Sequence, residues 1–160
     1  MNLLFVGDII GDSGRKIAKE FIPSLKEEYK IDITVANGEN AAGGFGLVPQ
    51  IADELYKIGI DIITTGNHVW DKKEILPLID VDKRILRPLN YPEGVPGSGS
   101  VIVTLKNGLK ICIINVSGRV YMNHLECPFR TTKALVENIR KETQVIIIDF
   151  HAEVTSDKNA

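Results

Sequence analysis

Short apolar runs punctuate the chain at Leu3 to Gly7, Ile31 to Ala36, Ile60 to Thr65 and Val145 to Ile148. Runs of this length read as strands buried in a parallel sheet. Between them, apolar positions recur at helical spacing. A helix is predicted from about Arg15 to Lys30, with Ile17, Phe21, Leu25 and Tyr29 on its inner face and Asp12 or Ser13 as its cap. Pro23 should kink or split it. Gly43-Gly44-Phe45-Gly46 reads as a flexible loop. A second helix, from about Pro49 to Ile58, buries Ile51, Leu55 and Ile58 and stops at Gly59. Asp71 is placed to cap a short helix through Ile79. Strands alternating with helices predict an α/β fold with a parallel sheet.

The pattern changes after residue 86. Arg87 to Gly99 contains Pro88, Pro92 and Pro96 among glycines and is predicted as loop. Ser100 to Leu105 and Lys110 to Val116 are β-rich and flank Lys106-Asn107-Gly108-Leu109, which predicts a hairpin in a second sheet. A loop from Ser117 to Phe129, a helix from about Thr132 to Glu142 and a last strand into His151 follow. Residues 1–160 read as one domain without repeats. The polar stretch from Glu153 to Ala160 leaves an α/β sheet with a hairpin layer short of cover, so a C-terminal truncation is expected.

Each strand-like run ends in polar residues. The first ends at Asp8, the second at Asn37-Gly38-Glu39-Asn40, the third at Gly66-Asn67-His68, the last at Asp149-Phe150-His151-Ala152-Glu153. C-terminal strand ends share one edge of a parallel sheet, where α/β folds keep their sites. Each group alone also reads as a helix cap, a turn or a satisfied core histidine. Together they point to a metal centre. Asp8 and Glu39 are hard oxygen donors, Asn40 and Asn67 carry neutral carbonyls, and His151 brings an imidazole. Mixed oxygen and nitrogen ligation suits Fe, Mn, Zn or Co. Two such ions can activate a hydroxide and neutralise phosphate oxygens. His68, beside Asn67, is placed to protonate a leaving oxygen.

Composition narrows the field without choosing a chemistry. Hydrophobic residues make up 44% and charged residues 25% of 160, an ordinary globular balance. A net charge of −2 gives no broad surface for duplex nucleic acid or an anionic membrane. The N-terminus reads as an immediate strand rather than a signal peptide. Cys112 and Cys127 lack CxxC spacing and read as reduced thiols, which fits a cytoplasmic protein. No phosphate-loop, dinucleotide or G-x-S-x-G motif occurs. Trp70 could stack on a base, and Arg87 and Arg119 could contact phosphate, but each also reads as core or loop anchor. Isolated His124 reads as noncatalytic.

The segments Gly7-Asp8, Asn37 to Ala42, Gly66 to Glu74 and Asp149 to Glu153, with Arg87-Pro88 and Asn90-Tyr91-Pro92, resemble the bacterial YmdB-like branch of the calcineurin-like metallophosphoesterases. The resemblance implies a four-layer α/β/β/α sandwich, here lacking its C-terminal portion. It also implies a dinuclear phosphodiesterase acting on 2′,3′-cyclic nucleotides or related phosphodiesters, with two metal ions, usually Fe, with Mn and Zn as alternatives. By position, Asp8 and Asn40 would hold the first metal, Asn67 and His151 the second, with Glu39 bridging and His68 donating a proton. A G-T-H-T-H segment, expected to add one histidine to each metal, is not in these residues. The alternative is an inactive metal- or nucleotide-binding regulatory fragment. Membrane and duplex partners are not expected, and assembly as a homo-oligomer is left open.

Overall fold

Hydrogen bonding sorts the strands into two sheets in the computed structural model, which describes residues 1–160. In chain order the elements are β1 (Leu3–Val6), α1 (Gly11–Glu28), β2 (Ile33–Asn37), α2 (Pro49–Lys57) and β3 (Ile62–Thr64). Two 3₁₀ turns, Asn67–Trp70 and Lys73–Ile75, lead into α3 (Leu76–Val81) and β4 (Ile85–Leu86). Then come β5 (Ser100–Thr104), β6 (Lys110–Ser117), α4 (Pro128–Ile139), β7 (Val145–His151) and α5 (Thr155–Asn159). The first sheet is parallel, in the order β1-β2-β3-β4. The second runs β5-β6-β7, antiparallel then parallel.

The period-2 alternation of side chains turns these sheets into four layers. In β2, Ile33 and Val35 point one way and Ala36 the other. Ile33, Val35, Ile62 and Leu86 of the first sheet meet Ile111 and Ile113 of the second in a core between the sheets. On its outer face the first sheet presents Ala36, Ile63 and Ile85 to Ala18, Ile22, Ala52, Leu55 and Ile79 of α1, α2 and α3. The outer face of the second carries Cys112, Ile114 and Val116 against Ile139 of α4. The result is the α/β/β/α sandwich that the resemblance implies.

Polar residues pin the sheets together at one end of that core. The buried Asn115 amide of β6 donates to the carbonyls of Thr65 (2.6 Å) and Leu86 (2.8 Å). Thr64 of β3 donates to Asp149 of β7 at 2.5 Å. Asn90 donates to the carbonyls of Ser117 and Glu126 and accepts from the Ser117 amide.

Several expectations for the helices need correction. Helix α1 starts earlier, behind Ile10, and no side chain caps it. Asp12 lies inside its first turn, paired with Arg15 and Lys16, where a negative charge suits the positive end of the helix dipole. Pro23 neither splits nor ends the helix. It sits on the solvent face with Lys19, so the carbonyl deprived of a donor can bond to water. The inner face is also different. Ala18 and Ile22 are buried, whereas Ile17, Phe21 and Tyr29 are exposed. Small Ala18 lets the helix backbone approach the sheet, and Ile17 is turned about 100° away from it. Asp71 does not cap α3, which begins after Ile75. The hairpin pairs Ser100 with Ile114 through Thr104 with Lys110, as expected, and Gly108 takes the left-handed conformation at its turn.

Asn115→Ala should cost about 1–3 kcal/mol of stability, read as a shift in the urea midpoint. Leu86 keeps the Thr65 hydroxyl as donor, so the penalty falls mainly on the Thr65 carbonyl. An unshifted midpoint would show that the amide does not couple the sheets.

Candidate metal centre

Strand ends of the first sheet deliver most of the candidate donors. At the end of β2, Asn37 accepts a hydrogen bond from the Glu39 amide (3.1 Å), which turns the chain directly after the strand. The loop is tied to its neighbours by Ile9 donating to the Asn37 carbonyl and Gly11 to that of Asn40. Arg15 holds it from α1 by donating to the Ala41 carbonyl at 2.5 Å. These bonds bring Asn40 to the end of β1, where its amide donates to Asp8 at 2.7 Å.

The second sheet supplies His151 alone. It shares the alternation of Val145, Ile147 and Asp149, so its ring faces the first sheet. Its Nδ1 lies 3.1 Å from Glu39 Oε1 and its Nε2 lies 3.0 Å from Asn67 Oδ1. The second Glu39 oxygen accepts from the His68 amide at 3.2 Å. The expected residues therefore form two neighbouring groups, Asp8–Asn40 and Glu39–His151–Asn67, joined by the Glu39–Asn40 peptide bond. No three His, Cys, Asp or Glu side chains are grouped so that they could hold a metal ion by themselves, so the candidate set depends on the asparagine carbonyls.

Three features fit these residues to cations. First, the Glu39 side chain is 1% exposed, and burial pushes its carboxyl above the ordinary range for glutamate. The positive charge of His151 and the His68 amide oppose that shift, whereas Asp8 adds to it. Second, the two ring nitrogens of His151 face side-chain oxygens of Glu39 and Asn67, so an imidazole and two oxygen donors meet at one place. Third, Asn40 Oδ1 is buried without a hydrogen-bond partner, an orphan acceptor that a cation would satisfy. Oxygen donors with one imidazole are the set expected for Fe, Mn or Zn.

Gly66 makes room for this packing. A Cβ on it would overlap Glu39 Oε2 and lie 2.6 Å from His151 Cδ2. His68 stands in the 3₁₀ turn beyond Asn67, with Asp71 one turn away. Its Nδ1–H donates to the Asp71 carboxylate at 2.8 Å, which orients the ring and leaves Nε2 free. Sequence reasoning misses Asp71 in this role, although its three-residue spacing from His68 is an available signal. It also treats Gly66 only as the residue before Asn67.

The remaining candidates lie elsewhere. Arg87 is buried and donates to the carbonyls of Pro88, Leu89, Val95 and Pro96, so it anchors a loop. Trp70 packs on the helix-side core and meets Tyr91 edge-to-face with ring centroids 5.4 Å apart. Arg119 and His124 line a separate groove with Asp157. Cys112 and Cys127 are free thiols, and burial pushes Cys112 up to about 11.

Facing sheets between helical layers, with oxygen donors and an imidazole at their strand ends, place the chain in a class of four-layer α/β/β/α sandwiches that includes a protein described as a phosphatase. Within that class the chain belongs to the YmdB-like protein family, whose profile matches residues 4–160. It is 47% identical over 160 residues to the 2′,3′-cyclic-nucleotide 2′-phosphodiesterase of Bacillus subtilis, covering all of this chain and 60% of that protein. A crystal structure of a hypothetical protein from Thermus thermophilus superposes with a TM-score of 0.90 at 36% identity, covering 99% of this chain and 61% of the other. A crystal structure described as a novel phosphatase from Mycoplasma pneumoniae gives 0.89 at 34%, covering 98% and 57%. The chain thus spans about 60% of the length of the relatives it matches.

Gly66→Ala should push Glu39 and His151 apart. Overpacking of this kind costs about 1–3 kcal/mol. Manganese titration calorimetry should show weakened binding, and wild-type affinity in the variant would mean that the cradle is not tight.

Proposed function

We propose that the protein is a dinuclear metal-dependent phosphodiesterase acting on 2′,3′-cyclic nucleotides. The observation that carries this reading is the meeting of Glu39, His151 and Asn67 across two sheets, beside Asp8 and Asn40. The name of the Bacillus subtilis relative supports the substrate class. The proposed activity is that of the whole protein, since this chain spans about 60% of that relative.

Asp8 and Asn40 would hold one cation, Asn67 and His151 the other, and Glu39 would serve both. When bound, such a pair supplies Lewis acidity toward phosphate oxygens and makes water more acidic. Iron, manganese and zinc all suit the donors. Hydrolysis joins a water oxygen to phosphorus and breaks the P–O2′ bond, whose electron pair stays on the ribose oxygen. His68 delivers the proton to that oxygen from Nε2 and recovers the one that water releases. Asp71 stabilises the charged imidazolium through Nδ1. No helix of the chain is long and apolar enough to cross a membrane. We place the protein in the cytoplasm, where its two free thiols stay reduced.

Glu39→Gln should lower the content of both metals, measured by plasma mass spectrometry, and abolish turnover. His68→Ala should retain metal and lose about 10²–10⁴-fold in kcat. Metal loss in the His68 variant would show that His68 is a ligand and not the proton donor.

A further inference from the structure

We propose that Phe45 is the stacking platform for the substrate's nucleobase, an inference that rests on the phosphodiesterase reading of the adjoining site. Phe45 is 58% exposed and belongs to none of the hydrophobic clusters. Exposure alone does not single it out, since Phe21, Tyr29 and Tyr121 are exposed as well; what distinguishes Phe45 is its place beside the His68 ring. Its position is imposed by the backbone. Gly43, Gly44 and Gly46 have φ of 73°, 102° and 80°, a conformation that side chains disfavour. They let the loop fold back so that the Ala42 amide donates to the Gly46 carbonyl at 3.0 Å. Ala42 and Leu47, at the feet of this turn, are buried, and Phe45 is left at its tip. The loop is tied to the candidate metal centre by the Gly44 amide, which donates to the Asn40 carbonyl at 3.1 Å.

The tip leans over the site. The Phe45 ring lies 5.0 Å from the His68 ring, centroid to centroid, with the planes inclined at 56°. That proximity has a chemical meaning for a cyclic nucleotide. Both bridging oxygens of a 2′,3′-cyclic phosphate belong to the ribose. A group that protonates the leaving oxygen therefore stands on the ribose side of phosphorus, and the base is one sugar ring further on. An aromatic face next to His68 lies within reach of that base. Stacking needs no particular hydrogen-bonding edge, so Phe45 would accept any of the common bases. Trp70, the other aromatic considered for this task, is engaged with the core and Tyr91.

The test compares wild type, Phe45→Ala and Phe45→Trp in the full-length protein. Two ligands are used, adenosine 2′,3′-cyclic phosphate and methyl riboside 2′,3′-cyclic phosphate, which lacks a base. Calorimetric Kd and steady-state KM are both measured. Phe45→Ala should weaken the nucleotide about tenfold and leave the base-free ligand unchanged, and Phe45→Trp should restore nucleotide binding. Equal losses for both ligands would mean that Phe45 only supports His68 and would overturn the proposal, as would no change with either. If wild type binds the nucleotide without hydrolysing it, the phosphodiesterase reading fails while the Kd comparison still decides the role of Phe45. A wild type that binds neither ligand overturns both.

Discussion

Everything in the site depends on the docking of one sheet against the other. Four of the five candidate metal ligands belong to the first sheet or its loops, and His151 arrives alone from β7. The aliphatic layer of Ile33, Val35, Ile62 and Leu86 against Ile111 and Ile113 sets the spacing between them. Dispersion forces of this kind fix distance but have little directional preference. Direction is added at the edge of the layer, where Asn115 and the Thr64–Asp149 pair reach across. Asp149 lies two residues before His151 on the same face of β7. The histidine that completes the Glu39 group is therefore aligned by the nearest polar tie between the sheets.

Glu39 carries the opposite burden. A carboxylate taken out of water must be compensated or stay protonated. Here its two oxygens find His151 on one side and a backbone amide on the other. The compensation comes from groups far apart in the chain, and the missing Cβ of Gly66 allows all of them to approach at once. The protein thus holds an acidic group where it is least stable, a common signature of a site whose charge is completed by a ligand.

The strand ends were legible because parallel strands announce themselves as short apolar runs and their C-terminal ends must share an edge. Asp8, Glu39 and Asn67 could be placed on that edge from their positions alone, whereas His151, expected on the same edge, ends a strand of the second sheet. The hairpin was equally readable, since Asn107-Gly108 between two β-rich runs marks a turn, and Gly108 takes the left-handed backbone there. What escaped were choices made by tertiary packing. Ile17, Phe21 and Tyr29 repeat as well as Ala18 and Ile22 do, and only the close approach to the sheet decides for the smaller stripe. Asp71 looked like a helix cap because nothing local reveals that His68 would turn toward it. Phe45 was hidden in a glycine loop whose conformation is underdetermined by composition. His151 meets Glu39 only through the register of β6 and β7, which no local pattern encodes.

The division of the site between sheets has a thermodynamic corollary. A cation held jointly by Glu39 and His151 is held by both halves of the sandwich, and neither half alone offers the full set of donors. Occupancy and sheet docking are then linked functions. A ligand that binds only the docked form stabilises it by about 4 kcal/mol when present at a thousand times its dissociation constant. Under the proposed metal binding, supply of the cation would set the fraction of the chain that is folded at equilibrium.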